Sequence, residues 1–242
     1  MRVGEGVHRL GTRWINWYAI EDGSALTLVD AGLPAYWPQL EEALRELGRR
    51  VDDVVALVLT HNHVDHTGCA ARLRAEGGTR VLVHEADAAI VRGDAKAKAI
   101  PGFLPSVIHR TFLGYLGHVV RHGGAKHPRP VADAETFGDG DVLDVPGKPR
   151  VLFTPGHSPG HCALLLEERG VLFSGDALVT LNVRNGARGP TLLPINQDHE
   201  QAAGSLERFE GVEAGTMLPG HGEPWTGGPA EALRRARAGL NR

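Results

Sequence analysis

Two cysteines, Cys69 and Cys162, are too few for a disulfide framework in a chain of 242 residues. Both lie among small apolar residues, so free thiols in the core are expected. No apolar run approaches the roughly 18 residues of a membrane-crossing helix. The opening Met1-Arg2-Val3-Gly4-Glu5-Gly6 lacks the apolar stretch of a signal peptide. Together these absences predict a cytoplasmic protein with no membrane partner. A strong excess of one charge is missing too: 26 Lys and Arg against 29 Asp and Glu leave a net charge of −3, which argues against a nucleic-acid partner.

What is present suits one domain over residues 1–242, with 42% apolar content and 32 glycines. The charge is uneven. Residues 92–130 carry seven Lys and Arg (Arg92, Lys96, Lys98, Arg110, Arg121, Lys126 and Arg129) and one acid, Asp94. Against the chain's −3, that segment is +6 and the remainder −9.

Local composition predicts the elements. Residues 14–20 and 25–29 have strand character around a Glu21-Asp22-Gly23 turn and read as a hairpin. Pro34 can open a helix in which Leu40, Ala43, Leu44 and Leu47 recur at helical spacing until Gly48. A buried strand is expected at 54–59, a helix at 69–75, a strand at 81–83 and a helix near 86–92. After the basic segment, strands are expected at 142–145, 151–154, 162–166 and 171–174. A helix at 200–209, a short strand at 217–218 and a helix from 229 onward follow. Two strand-rich halves with helices outside them imply a four-layer αββα sandwich of two mixed β-sheets, an α/β fold.

Directly after the strand at 54–59 comes His61-Asn62-His63-Val64-Asp65-His66. Imidazole and carboxylate are ligands for borderline cations such as zinc, and four of them this close are not ordinary surface chemistry. If the strand overruns into a loop, His61 and His63 can face one side. Asp65 and His66, at the mouth of the next helix, can then reach a second position.

Three later strand-like runs also end on potential ligands. The run at 151–154 leads to Pro155-Gly156-His157-Ser158-Pro159-Gly160-His161, the run at 171–174 to Gly175-Asp176, and Met217-Leu218 to Pro219-Gly220-His221-Gly222. Glycine beside each ligand permits a tight turn and leaves room for an ion.

These ordered motifs, from Asp30 to Gly222, resemble the metallo-β-lactamase fold superfamily. The resemblance implies that His61, His63 and His157 hold one metal, that Asp65, His66 and His221 hold a second, and that Asp176 bridges them. It also makes Asp30, in Leu28-Val29-Asp30-Ala31-Gly32, an organising residue behind the ligands, with a plain turn aspartate as the other reading. His161 is read as lying outside the ligand set. Such a centre takes two divalent transition metal ions, zinc first, with iron or manganese as alternatives. It would use a metal-bridging hydroxide, with Asp65 as the catalytic residue orienting it.

Within that superfamily, Asp176 at the bridging position argues against β-lactam hydrolysis as the main role. Glyoxalase II uses the same ligands but adds a sizeable C-terminal helical domain, and here 21 residues follow His221. Acyl-homoserine lactonases typically have a tyrosine three residues after the bridging aspartate, where this chain has Val179. The expected activity is therefore hydrolysis of an ester, thioester or lactone. The alternatives are a mononuclear iron sulfur dioxygenase, or a phosphodiesterase or β-lactamase-like hydrolase of the same fold.

Residues 92–130 read as a helical insertion that is both basic and apolar. Ile100, Phe103, Leu104, Val107, Ile108, Phe112, Leu113, Tyr115, Leu116, Val119 and Val120 are too apolar for an exposed loop. The insertion is expected either as a lid presenting cations to a small, anionic substrate or as a homodimer interface. His118 and His122, four apart, read as lid or surface histidines. Arg184 and Arg188, in the loop after Asp176, are candidates to approach a substrate anion.

Overall fold

The central strands are near-continuous apolar runs, and because successive side chains point to opposite sides, each strand presents two faces to be covered. In the computed structural model, which describes residues 1–97 and 109–240, both faces are buried. The first sheet runs β1 (Arg2–Gly4), β2 (Val7–Arg9), β3 (Tyr18–Asp22), β4 (Ala25–Val29), β5 (Val54–Val58), β6 (Arg80–His84) and β7 (Glu135–Phe137), in that spatial order. It is antiparallel from β1 to β4 and parallel from β4 to β7. The second sheet uses β8 (Arg150–Phe153), β9 (Cys162–Leu166) and β10 (Val171–Gly175). A separate antiparallel pair, β11 (Val179–Leu181) and β12 (Arg188–Thr191), follows. The last strand, β13 (Thr216–Pro219), lies parallel to β10 at the edge of the second sheet.

Seven helices accompany the strands among the described residues: α1 (Trp37–Glu46), α2 (Val64–Thr67), α3 (Ala70–Gly77), α4 (Glu85–Arg92), α5 (Arg110–Arg121), α6 (His199–Ser205) and α7 (Gly228–Leu240). None of the helices is long and apolar enough to cross a membrane.

Three apolar clusters account for four layers. Leu26, Leu28, Leu57 and Val81 pack with Leu40 and Leu44 of α1 and Leu73 of α3. Their strand neighbours Ile20, Val29, Val58 and Leu82 point the other way, against Val151, Leu164, Phe173 and Leu218 of the second sheet. The far face of that sheet, with Leu165, Leu172 and Met217, meets Ala202, Phe209 and Leu233. This is the αββα sandwich expected. Leu164 is fully buried between the sheets, and truncating it to alanine should cost about 2–5 kcal/mol.

Most expected elements form within a residue or two of their predicted ends. The first hairpin begins later than expected, at Tyr18, because the Thr12 hydroxyl accepts from the amides of Trp14 and Ile15 and turns the chain there. No strand forms over 142–145. Val142 makes a single bridge to Arg150, and the amide of Val145 bonds back to Leu143 ahead of a turn bracketed by Pro146 and Pro149. The helix expected over 200–209 loosens after Ser205 into a tighter 3₁₀ turn, Leu206–Phe209.

The insertion at 92–130 is not helical throughout. Gly93, in the left-handed region with φ of 87°, ends α4, and α5 occupies Arg110–Arg121. Lys98, Ile100, Phe103, Leu104, Val107 and Ile108 lie outside the described residues. Cys69 and Cys162 are free and buried, as expected.

Candidate metal centre

The parallel strands β4, β5 and β6, and β10 with β13, finish at one edge of the sandwich, where ligands bind in open α/β sheets. Asp30 follows β4, His61 follows β5, His157 follows β8, Asp176 follows β10 and His221 follows β13. All seven predicted ligands meet there. Ligand atoms of His61, His63 and His157 lie within 4.8 Å of one another, as do those of His61, His66 and Asp176 and those of Asp65, His66 and His221. Asp176 sits between the groups: its Oδ2 is 3.4 Å from His157 Nε2 and 3.1 Å from His221 Nε2, and its Oδ1 is 3.7 Å from His66 Nε2.

Each imidazole except His63 is gripped from behind. His61 Nδ1 is 3.0 Å from the Thr60 hydroxyl, and His157 Nδ1 is 3.0 Å from Asn196 Oδ1. His66 Nδ1 is 2.8 Å from Asp30 Oδ2, and His221 Nδ1 is 2.6 Å from the carbonyl of Trp14. Outer partners of this kind fix a ligand's tautomer and leave its other nitrogen free for an ion. Asp30 also accepts from the amide and hydroxyl of Thr60, at the cost of a left-handed backbone with φ of 63° in a non-glycine residue.

His161 stands behind the cluster. Its Nδ1 faces the hydroxyl and carbonyl of Thr154, and its Nε2 accepts from the amide of Asp176, which anchors the loop carrying that carboxylate. Glycine is required nearby. A Cβ at Gly220 would fall on Asp176 Oδ1 and against the His66 ring.

The residues fit a metal. His63 Nδ1 has the Nε2 atoms of His61 and His157 at 3.0 Å each, an arrangement that one proton cannot satisfy. Zinc–nitrogen bonds of about 2.0–2.1 Å would hold tetrahedral nitrogens about 3.3 Å apart, which this trio nearly matches. His66 Nε2 and Asp176 Oδ1 are buried, face the cluster and have no hydrogen-bond partner among the described residues. Leaving such atoms unsatisfied is costly, and a shared cation removes the penalty.

Protonation divides the cluster. Burial, reinforced by neighbouring imidazoles, drives His61 well below its ordinary value and His63 down to about 3. Burial also pulls at His66, but the carboxylates of Asp176, Asp30 and Asp65 outweigh it and raise that group to about 10. His221 is likewise raised, burial being outweighed chiefly by Asp176. Burial opposes ionisation of Asp65, yet His66 and His221 hold its carboxyl below the usual range.

Two contributors went unrecognised in the sequence. Asp87, in the first turn of α4, accepts from the amide of Asn62, the hydroxyl of Ser158 and the amide of Gly160, so one buried carboxylate ties the His61 loop to the His157 loop. Only its place at a helix start hinted at anything, and that is an ordinary position for aspartate. Tyr115, read as an apolar lid residue, donates from its hydroxyl to Asp65 Oδ2 at 2.8 Å.

Over the ligands lies a cavity of about 380 Å³. Its floor includes His63, Asp65, His157, Asp176 and His221, and α5 forms one wall. No Lys or Arg is among the described residues lining this cavity, and Lys98 of the insertion lies outside the described residues. Arg92 is turned toward the carbonyl of Ala134, while Lys126 and Arg129 line a separate groove near α3. Arg184 and Arg188 do not line it either. Arg188 opens on a smaller hollow with Arg13, Trp14 and Glu223, whereas Val183 of the same connection lines the cavity over the ligands.

The family model described as the metallo-beta-lactamase superfamily matches residues 11–221. The chain is 27% identical over 239 residues to the probable metallo-hydrolase YflN of Bacillus subtilis (strain 168), covering 93% of this chain and 87% of that protein. It is 30% identical over 210 residues to an atrochrysone carboxyl ACP thioesterase of Aspergillus fumigatus, covering 86% of this chain but only 50% of that longer protein. Among solved structures, a metallo-beta-lactamase family protein from Thermus thermophilus superposes with a TM-score of 0.65 at 28% identity, covering 98% of this chain and 81% of that one. The chain belongs to the metallo-beta-lactamase superfamily and is a metal-dependent hydrolase.

Proposed function

We propose that the protein hydrolyses an acyl ester, thioester or lactone at a centre of two divalent metals, zinc being the first choice. His61, His63 and His157 would hold one ion and Asp65, His66 and His221 the other, with Asp176 shared between them. The convergence of His61 Nε2 and His157 Nε2 on His63 Nδ1 at 3.0 Å each, beside the unsatisfied His66 Nε2 and Asp176 Oδ1, carries this reading. Thioesters are favoured among the acyl substrates by the likeness to a protein named as a thioesterase. The same convergence of elements from both halves supports one domain throughout 1–242.

Bound divalent ions would supply Lewis acidity and a water acidified from about 15.7 to near 7. The chain's own groups do the rest. Asp65 is ionised and accepts a hydrogen bond from Tyr115, which fixes the direction of its Oδ2. It orients the attacking water and takes a proton as the water oxygen bonds to the acyl carbon. The carbon–sulfur or carbon–oxygen bond then breaks, and the leaving thiol or alcohol departs with a proton. Asp30, Thr60, Asn196 and the Trp14 carbonyl keep the imidazoles aligned throughout. The apolar cavity walls exclude bulk water and strengthen each of these interactions.

A screen of zinc-loaded protein against acyl thioesters, lactones, a phosphodiester and a β-lactam tests the reading. Turnover of the acyl compounds is expected, and hydrolysis confined to the phosphodiester or the β-lactam would overturn the substrate class.

A further inference from the structure

The cavity above the ligands is lopsided in its chemistry. Five of its lining residues are potential ligands, and apart from Tyr115 the rest are apolar or glycine, among them Leu116, Val119 and Val120 of α5 with Val183, Leu193 and Ile195. The α5 residues fall on one face by helical spacing, with Tyr115 at the floor end bonded to Asp65. Val120 remains 54% exposed and marks the rim. The volume of about 380 Å³ falls in the range of roughly 300–1,000 Å³ typical of small-molecule sites.

We infer that this cavity is an acyl-chain chamber, and that the preferred substrate carries an uncharged aliphatic acyl group of about six to ten carbons. The inference rests on the acyl-hydrolase reading above and specifies its substrate. A carbonyl placed at the floor sends its chain along α5, where each methylene leaves water for aliphatic contact. A chain ending in a carboxylate would be buried with no cation among the described wall residues to receive it. Length and neutrality, rather than an anionic handle, therefore select the substrate.

The test uses the full-length zinc-loaded protein with N-acetylcysteamine thioesters from acetyl to decanoyl, together with a 6-carboxyhexanoyl thioester. The kcat/KM should rise by about threefold to fourfold per methylene until the chamber is full, and the carboxylate-ended chain should be at least about tenfold worse than the neutral chain of equal length. V119W, and V120W at the exposed rim where folding is not at risk, should invert the octanoyl-to-acetyl ratio while bound metal stays at the wild-type level. Calorimetry with octanamide, which has no scissile ester, gives a readout independent of turnover: it should bind the wild type and bind V119W at least about tenfold more weakly.

Thioester hydrolysis at rates independent of chain length, or octanamide that fails to bind, would overturn the chamber while leaving the hydrolase reading intact. Octanamide binding that V119W abolishes, in a protein that cleaves no ester, thioester or lactone, would support the chamber and defeat the hydrolase reading.

Discussion

Tyr115 of α5 donates its hydroxyl proton to Asp65 Oδ2 at 2.8 Å, joining the wall of the cavity to the carboxylate proposed to handle the attacking water. The ring is held by an edge contact with Trp14, whose carbonyl in turn grips His221. Substitution Y115F removes the bond and keeps the ring. The variant should bind wild-type metal but lose about tenfold in kcat, consistent with a hydrogen bond to a charged group worth about 1.5–3 kcal/mol. Steady-state kinetics with elemental analysis on one preparation checks this, and unchanged kcat would reduce Tyr115 to a packing role.

Asp30 should matter chiefly through His66, which it bonds directly, and less through Thr60, which stands between it and His61. D30A frees His66 Nδ1 and should weaken metal at the Asp65, His66 and His221 group by about 10–100-fold, and at the His61, His63 and His157 group by less, since only the Thr60 contact to His61 is loosened there. Competition titrations with a chelating dye resolve the two affinities. Equal weakening of both would mean that Asp30 supports the whole edge of the sheet.

Asp87 is a stability prediction. D87A strips three buried donors of their acceptor and should destabilise the fold by about 3 kcal/mol, read from urea denaturation of metal-free protein. Metal should restore much of the loss by holding His61 and His157 together.

The two metal groups should differ in their response to pH. His61 and His63 are neutral near pH 7, so a cation entering there displaces no proton. His66, raised to about 10, and His221 hold protons that must leave. Affinity at the second group should therefore climb with pH from about 6 upward, by up to about tenfold per unit for each proton released, while the first stays nearly flat. In the metal-free protein the sign for stability follows from the same shift. The contribution of His66 is fully present below its unfolded value of 6.5 and is lost as pH rises through about 10. Calorimetry in buffers of differing ionisation enthalpy counts the protons, and proton release confined to the first ion would reverse the assignment.

The candidate ligand set was legible in the sequence because its residues are rare side chains that each follow an apolar strand within a few positions. His61 after β5, Asp176 after β10 and His221 after β13 needed no tertiary knowledge to be noticed. The layers were legible for a related reason: along the unbroken apolar runs of β5 and β9 successive side chains point to opposite faces, so both faces demand cover. Short edge strands such as β1, β7 and β12 carry too few residues to show a period. Tyr115 and Asp87 were illegible because their partners lie 50 positions away in one case and 71 in another, and neither occupies a motif. The charge of the insertion says nothing of which surface carries it. Its lysines and arginines belong, among the described residues, to surfaces outside the cavity, and apolar residues of α5 face the ligands.

The central claim is that one edge of the sandwich holds two metals. Elemental analysis of protein purified without chelator measures it directly. The account predicts about two transition-metal ions per chain in the wild type, about one in H66A, and reloading of the wild type after chelation. Fewer than one ion per wild-type chain, with no uptake on reconstitution, would contradict it.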